Sequence, residues 1–479
     1  MPSSTGFKRT ISFATALSLV IGGVIGSGIF MRPAEMAGQL GSPFLIMVAW
    51  VIAGVITLLS AMCAAEIGAM MPETGGQYVY IKKIYGDFWG YLFGWANFAV
   101  INTAGTAAIA FIVGQYFEYF IQLPRFTPEV EKSVTIHLLM MGDIFPLANF
   151  GVKIFTIVVL GLLSLIGYYS TKLGGALQRY LTYAKVLAIL FLVFGLFFSG
   201  KGNMQNFITE DYGIRPVGFA LVAAMVAACN GALQAFDGYA IMLTIGGEMK
   251  NPAKNIPRSL VFGLLVCIIV YLLITAAMMY ILPIGDMAKS SLVAADATRL
   301  VFGTIGGGII AGLICLNVLG TVNGNVFTAP RMTYAMAEQG SFFKWTGIVN
   351  KKYQTPGNAF VLHFTWMLIL VLSGSFSILA DIYIFIVWLF NLMLVAGVII
   401  LRKRMPDTER PYKVWGYPFV PVIVILFNLF YLVMTLYNDI HNYNIGKATT
   451  INSVIGLVLT ALGIPLYYFY FRKNKKTAN

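Results

Sequence analysis

Two short runs of residues carry the groups that could do chemistry in this chain, and the chemistry is that of open helix ends. The first run is Gly22-Gly23-Val24-Ile25-Gly26-Ser27-Gly28-Ile29-Phe30, and the second is Asn230-Gly231-Ala232-Leu233-Gln234-Ala235-Phe236-Asp237-Gly238-Tyr239. Each places glycine where an apolar helix would otherwise continue. A half-helix N-terminus presents free N–H groups and partial positive charge, which attract a carboxylate. A half-helix C-terminus presents free carbonyls, which attract an ammonium group or a cation. A site offering both fits a zwitterionic α-amino acid. Gly26 and Gly28 permit close backbone approach, and Ser27 adds a hydroxyl donor. Taken alone, the first run also fits a tight helix-crossing face of the GxxxG type. Two such runs in matching places, roughly 210 residues apart, favour the binding reading.

The elements that must hold these runs follow from composition. Hydrophobic residues make up 58% of the chain and charged residues 11%, with a mean hydropathy of +0.80. A soluble chain carries about twice that charged fraction. Apolar stretches of about 20 residues, enough to cross a bilayer as helix, recur from end to end. Barrel strands would show short alternating segments instead. The expected fold is an all-α polytopic membrane protein with twelve transmembrane helices at 11–38, 43–69, 88–121, 147–170, 179–199, 216–249, 258–282, 299–336, 358–375, 378–401, 417–438 and 450–471. Residues 1–10 and 472–479 are the expected cytoplasmic ends. Spans one to five (11–200) and six to ten (216–401) each begin with an interrupted helix, so they read as two five-helix units of opposite topology, with two further spans at 417–471. The first segment lacks a small-residue cleavage site and reads as a retained helix rather than a signal peptide.

The net charge of +13 is a topology signal, not a nucleic-acid footprint. Lys8, Arg9, Lys82, Lys83, Lys172, Arg179, Lys250, Lys254, Arg258, Arg331, Lys344, Lys351, Lys352, Arg402 to Arg404, Arg410, Lys413 and the closing Arg472, Lys473, Lys475 and Lys476 all fall on one side of the twelve-span arrangement. The other side holds most of the acids, including Glu129, Glu131, Asp143, Glu210, Asp211, Asp286, Asp296 and Asp439. This is the positive-inside pattern, with both termini in the cytoplasm. Cys63, Cys229, Cys267 and Cys315 lie inside predicted helices without metal-ligand spacing, and His137, His363 and His441 are scattered. No nucleophile, metal cluster or cofactor motif supports an enzyme.

Several segments, in order along nearly the whole chain, resemble the amino acid–polyamine–organocation (APC) superfamily, in particular its L-type amino acid transporter branch. They are Gly26-Ser27-Gly28-Ile29-Phe30, Ala65-Glu66-Ile67-Gly68, Pro72-Glu73-Thr74-Gly75-Gly76-Gln77-Tyr78-Val79-Tyr80, Asn251-Pro252-Ala253-Lys254-Asn255-Ile256-Pro257-Arg258, Gly320-Thr321-Val322-Asn323-Gly324, Pro330-Arg331-Met332-Thr333-Tyr334-Ala335-Met336-Ala337 and Arg410-Pro411-Tyr412-Lys413-Val414-Trp415-Gly416-Tyr417-Pro418. The resemblance implies the five-plus-five inverted-repeat fold of the sodium-coupled leucine transporter, with broken helices one and six. It further implies alternating access around a central amino-acid site. The substrate carboxylate would then meet the N–H groups around Gly26, Ser27 and Gly28. Its ammonium would meet carbonyls near Val24 and in the stretch Gln234, Ala235, Phe236 and Asp237, with Ile25 and Gly238 also among the substrate-binding residues. Asn102, Thr106 and Asn317 are polar candidates for the rest of the pocket.

Two positions refine that implication. Where the family usually carries an aromatic gate, this chain has Gln234, with Phe236 two residues on. An amide hydrogen-bonds a polar substrate better than it covers an apolar one. Asp237 is an ionisable group near mid-membrane, expensive unless paired or wet, and it reads first as a structural element of the break. Lys185 is the second informative charge. Its stem could snorkel to the cytoplasmic interface. In several relatives a lysine here occupies the place where sodium-coupled cousins bind sodium, which implies sodium-independent transport and a group able to carry a proton. Glu66 and Glu248, near the cytoplasmic ends of helices two and six, read as interfacial charges or as an intracellular gate with a loop lysine or arginine.

The leading expectation is therefore an amino-acid exchanger or proton symporter in the plasma membrane, of prokaryotic inner-membrane type. A cationic amino acid or polyamine antiporter keeps the fold and needs an acidic pocket group, for which Asp237 is the candidate. A non-transporting sensor would ordinarily carry a long cytoplasmic extension, and the termini here are short. Animal relatives pair with a single-span glycoprotein through a cysteine in the third–fourth loop. The corresponding loop, 122–146, has none, so no disulfide-linked heavy chain is expected.

Overall fold

The computed structural model describes residues 11–72, 75–138, 141–169, 185–211, 213–244 and 246–471. The basic residues expected at both termini and at 172 and 179, together with the start of the fifth predicted span, lie outside them. The main helices are α1 (Phe13–Val24), α2 (Gly28–Leu40), α3 (Pro43–Met70), α4 (Asp87–Phe117), α5 (Phe150–Tyr169), α6 (Lys185–Phe197), α7 (Phe219–Ala235), α8 (Pro252–Ile281), α9 (Val293–Glu338), α10 (Gly357–Ser373), α11 (Phe376–Arg404), α12 (Phe419–Asn444) and α13 (Asn452–Phe469). Among the described residues eight of these are long and apolar enough to cross a bilayer, or nine when α1 and α2, bent by 41° at their junction, count as one span. The fifth, sixth and ninth predicted spans contain the shorter apolar helices α6, α7 and α10. Outward-facing stripes such as Ile154, Val158, Leu162 and Leu165 on α5 are 41–57% exposed, as lipid-facing residues of a membrane protein are.

The chain forms two compact units, each drawing on both halves of the sequence. The first comprises Met1–Phe93, Gly202–Val293 and Val387–Thr435. Helix α3 begins with Ser42 as N-cap, its hydroxyl accepting from Leu45 N–H at 3.5 Å, and with Pro43 in the first turn, where its missing N–H costs nothing. Small residues let backbones approach closely, since lipid-embedded helices associate through packing and not through escape from water. A Cβ added at Gly54 of α3 would lie 2.7 Å from Ile268 of α8. Around this contact Trp50, Phe236 and Tyr271 form a buried aromatic cluster with ring centroids 4.9–5.8 Å apart.

The second unit comprises Gly94–Lys201, Ala294–Ile386 and Leu436–Asn479. Helix α4 passes through a π-helical stretch at Asn97–Asn102, which frees backbone carbonyls from the regular ladder. The Thr103 hydroxyl donates to Phe98 O at 2.7 Å, and the Trp366 indole on α10 donates to Ala99 O at 2.8 Å. Lys153 on α5 is buried, and its ammonium donates to the carbonyls of Phe145, Pro146 and Leu372 at 2.9, 3.2 and 3.0 Å. The third–fourth loop contains a small antiparallel hairpin, Ile136–Leu138 against Gly142–Ile144. Helix α9 kinks at Gly303, where φ is +70°.

Candidate functional site

The first break is three residues long. Helix α1 ends at Val24; Ile25 is extended at φ −69° and ψ 93°, and its N–H closes the last turn on Ile21 O at 2.9 Å. Helix α2 opens at Gly28 behind Ser27, whose hydroxyl does not cap it. Phe30 N–H turns back onto Ser27 O at 3.1 Å, and the first N–H groups of α2 lie ahead of its regular ladder, as at any helix start. The second break is shorter than the sequence reading placed it. Helix α7 stays regular from Phe219 through Ala235, Phe236 caps it, and a turn leads to the short helix Ile241–Thr244. Gly231 remains helical because its missing side chain serves packing: a Cβ there would meet Cδ of Arg32 at 3.0 Å.

The two breaks cross at glycine. A Cβ at Gly28 would lie 2.9 Å from Cα and Cβ of Ala235, so α2 and α7 touch backbone to backbone. On the other side of the crossing, Gly238 has φ +107° and would place a Cβ 2.4 Å from Gly23 O. Between these contacts the Tyr271 hydroxyl of α8 lies 2.8 Å from Val24 O and 2.8 Å from Ala235 O, one carbonyl from each break. A hydroxyl has one proton to donate, so it leaves lone pairs on both carbonyls for a further donor. An ammonium group, with several N–H donors, matches that pair, and the start of α2 stands beside it for a carboxylate. Tyr271→Phe removes the shared donor without changing shape. It is expected to raise the half-saturating concentration of an α-amino acid about tenfold, the effect of one lost hydrogen bond at a buried polar site, with folded yield unchanged. An unaltered value would exclude Tyr271 from the site.

Further bonds fix the second break. The Tyr239 hydroxyl donates to Asn391 Oδ1 at 3.3 Å, and Asn391 Nδ2 donates to Ser60 Oγ at 3.2 Å, joining the turn to α11 and α3. Phe236 is fully buried in the aromatic cluster, and Asp237 is half-buried with its N–H on Gln234 O at 3.2 Å. Val24, Ile25, Gly26, Ser27 and Gly28 thus lie together with Gln234, Ala235, Phe236, Asp237 and Gly238. Three participants were not singled out from the sequence: Tyr271, Asn391 and Arg32. The Arg32 side chain is buried, donates through Nε to Gln234 Oε1, and pairs with Glu35 one turn on. An arginine inside an apolar span is the signal that would have found it.

Glu66 marks a second feature of the same unit. Its carboxylate, 2% exposed, accepts from Arg402 Nε and Nη2 at 2.8 and 2.7 Å and from Val414 N–H at 2.7 Å, with Arg410 Nε at 3.6 Å. The Arg402 guanidinium also stacks 3.8 Å over the Tyr417 ring. Beside it, burial pushes the Tyr412 phenol up to about 12. Glu66 therefore binds the end of α3 to the end of α11 and the loop at 405–418.

Lys185, Asn102 and Asn317 belong to the second unit. Lys185 lies in α6 with its side chain buried; Asn102 closes the π-helical stretch and bonds Asn97; Thr106 and Asn317 are buried. The Asn317 amide has no hydrogen-bond partner among the described residues, which marks it as a polar group available to something else.

A family model described as amino acid permease matches residues 11–461. The serine/threonine exchanger SteT of Bacillus subtilis is 33% identical over 472 residues, covering 97% of both chains. The b(0,+)-type amino acid transporter 1 of Mus musculus is 26% identical over 439 residues, covering 91% of this chain and 84% of its own. The human cystine/glutamate transporter is 26% identical over 473 residues, covering 98% and 86%.

Proposed function

The chain belongs to the amino acid permease family and transports amino acids, and we propose that it does so as a sodium-independent exchanger working by alternating access. The observation that carries this reading is the crossing of the two breaks, with Val24 O and Ala235 O converging on the Tyr271 hydroxyl beside the open start of α2. That geometry offers one place for an ammonium and one for a carboxylate. The names of the relatives favour exchange, since one is called an exchanger outright.

Twelve crossings in a five-plus-five inverted repeat fit the division into units. The first unit takes predicted spans one, two, six and seven, and the second takes most of spans three, four, five, eight and nine, so one and six, two and seven, three and eight, and four and nine fall together, while span ten is divided between the units. With the basic loops inside, both termini face the cytoplasm of a plasma membrane. The loop 122–146 lacks cysteine, which supports a transporter working without a disulfide-linked subunit.

Lys185 is the proposed stand-in for a coupling cation. Lys185→Ala is expected to cut turnover by at least tenfold at zero sodium, with folding intact by size-exclusion chromatography. Unaltered turnover would remove that role. Proton symport is the second reading of the same residue, because an ionisable amine within a span can carry the coupled proton. The deciding experiment is uptake of labelled amino acids into sodium-free proteoliposomes with and without amino acid trapped inside. Uptake that requires internal amino acid establishes exchange. Uptake into empty vesicles under an inward proton gradient establishes symport and overturns obligatory exchange.

A further inference from the structure

We propose that Arg32 and Gln234 form a polar selector over the crossing, which favours amino acids with uncharged polar side chains, hydroxyl or carboxamide, over apolar, cationic and acidic ones. The inference rests on the transport reading and concerns which side chains the same site accepts. Arg32 lies one turn into α2 and Gln234 one residue before Ala235, so the pair brackets the Gly28–Ala235 contact from both helices. Both side chains are buried, at 3% and 7% exposure. Gly231 gives the arginine stem its lane along α7, and the guanidinium is held at both ends, by Gln234 and by Glu35.

The bond direction sets what the selector offers. Arg32 Nε donates to Gln234 Oε1, so that oxygen is turned toward the guanidinium and the amide presents its two N–H donors on the other side. Those donors suit a side-chain oxygen. An apolar side chain seated there would bury the amide without replacing its hydrogen bonds to water, the arrangement by which sites reject analogues lacking a polar group. A cationic side chain would approach the guanidinium. An anionic side chain would approach Glu35, which already balances Arg32, and would leave one negative charge in excess. The uncharged polar class alone meets neither penalty. A cationic cargo, the alternative raised by Asp237, is disfavoured by the same cluster.

The test is counter-transport in sodium-free proteoliposomes with serine, threonine, asparagine, glutamine, leucine, phenylalanine, arginine and glutamate as the probes. The wild-type protein is expected to exchange the first four with kcat/KM at least tenfold above the last four. Gln234→Ala is expected to lower the asparagine-to-leucine ratio at least tenfold, and Gln234→Phe to invert it. A wild-type preference for leucine, arginine or glutamate overturns the selector and leaves transport standing, as does an unchanged ratio in Gln234→Ala. Exchange of none of the eight by folded protein overturns the transport reading and the selector with it. If the variants fail to fold, the wild-type panel still decides.

Discussion

Gly238→Ala is expected to lower amino-acid exchange by at least a hundredfold while leaving a folded, monodisperse protein. The reason is local and has two parts. At φ +107° an L side chain is strained, at a cost of about 1–2 kcal/mol. The added Cβ would also stand 2.4 Å from Gly23 O and 2.9 Å from Gly23 C. These are backbone atoms at the end of α1, so no rotamer change relieves the contact and the breaks must part. Val24 O, one residue on, would separate from Ala235 O, and Tyr271 could no longer reach both carbonyls. A displacement of about 1 Å in a positioned site costs roughly a hundredfold in rate. Gly22→Ala is the control. It lies in regular α1 with nothing within 4 Å of its Cβ position, and alanine favours helix over glycine, so exchange is expected to stay at the wild-type level. Wild-type exchange in Gly238→Ala would detach the crossing from the transport site.

The breaks are legible in the sequence because two glycine-bearing runs stand in matching places of the two halves. Their partners are less so, for physical reasons. Tyr271 sits in the middle of α8 among leucines and isoleucines, where a tyrosine reads as core; only the meeting of two chain breaks at its hydroxyl gives it work. Arg32 stands just after the Gly26-Ser27-Gly28 signature, and the sequence alone does not show that Gln234, the amide at the usual place of an aromatic gate, is paired with it. The second break begins later than the glycine at 231 suggests, because α7 stays helical through Gly231 to Ala235 with Arg32 packed close to it. Segments such as 202–293 and 387–435 join residues 1–93 in one unit, and contacts of that range leave no local pattern to read.

Glu66→Ala is expected to destabilise the protein by about 3–5 kcal/mol, the usual effect of removing one partner from a buried ion pair, and to lower its melting temperature in detergent. Glu66 is an acceptor for three groups, and its loss leaves Arg402 Nε and Nη2, the nearby Arg410 guanidinium and Val414 N–H without the carboxylate that joins them. Glu66→Gln keeps the shape and one acceptor oxygen but loses the charge, so a smaller drop is expected. The double variant Glu66→Arg with Arg402→Glu separates the two parts of the arrangement. A simple charge pair would be rescued by the swap. This latch would not be, because an arginine at 66 offers no acceptor to Val414 N–H. Recovery of wild-type stability in the swap would reduce the latch to an ion pair. In the proposed orientation Glu66 lies at the cytoplasmic end of the second span, where it closes the end of α3 against α11 and the loop at 405–418. If that closure governs opening to the cytoplasm, Glu66→Gln should change exchange rates measured from the two sides unequally. A purely structural bond would lower both alike.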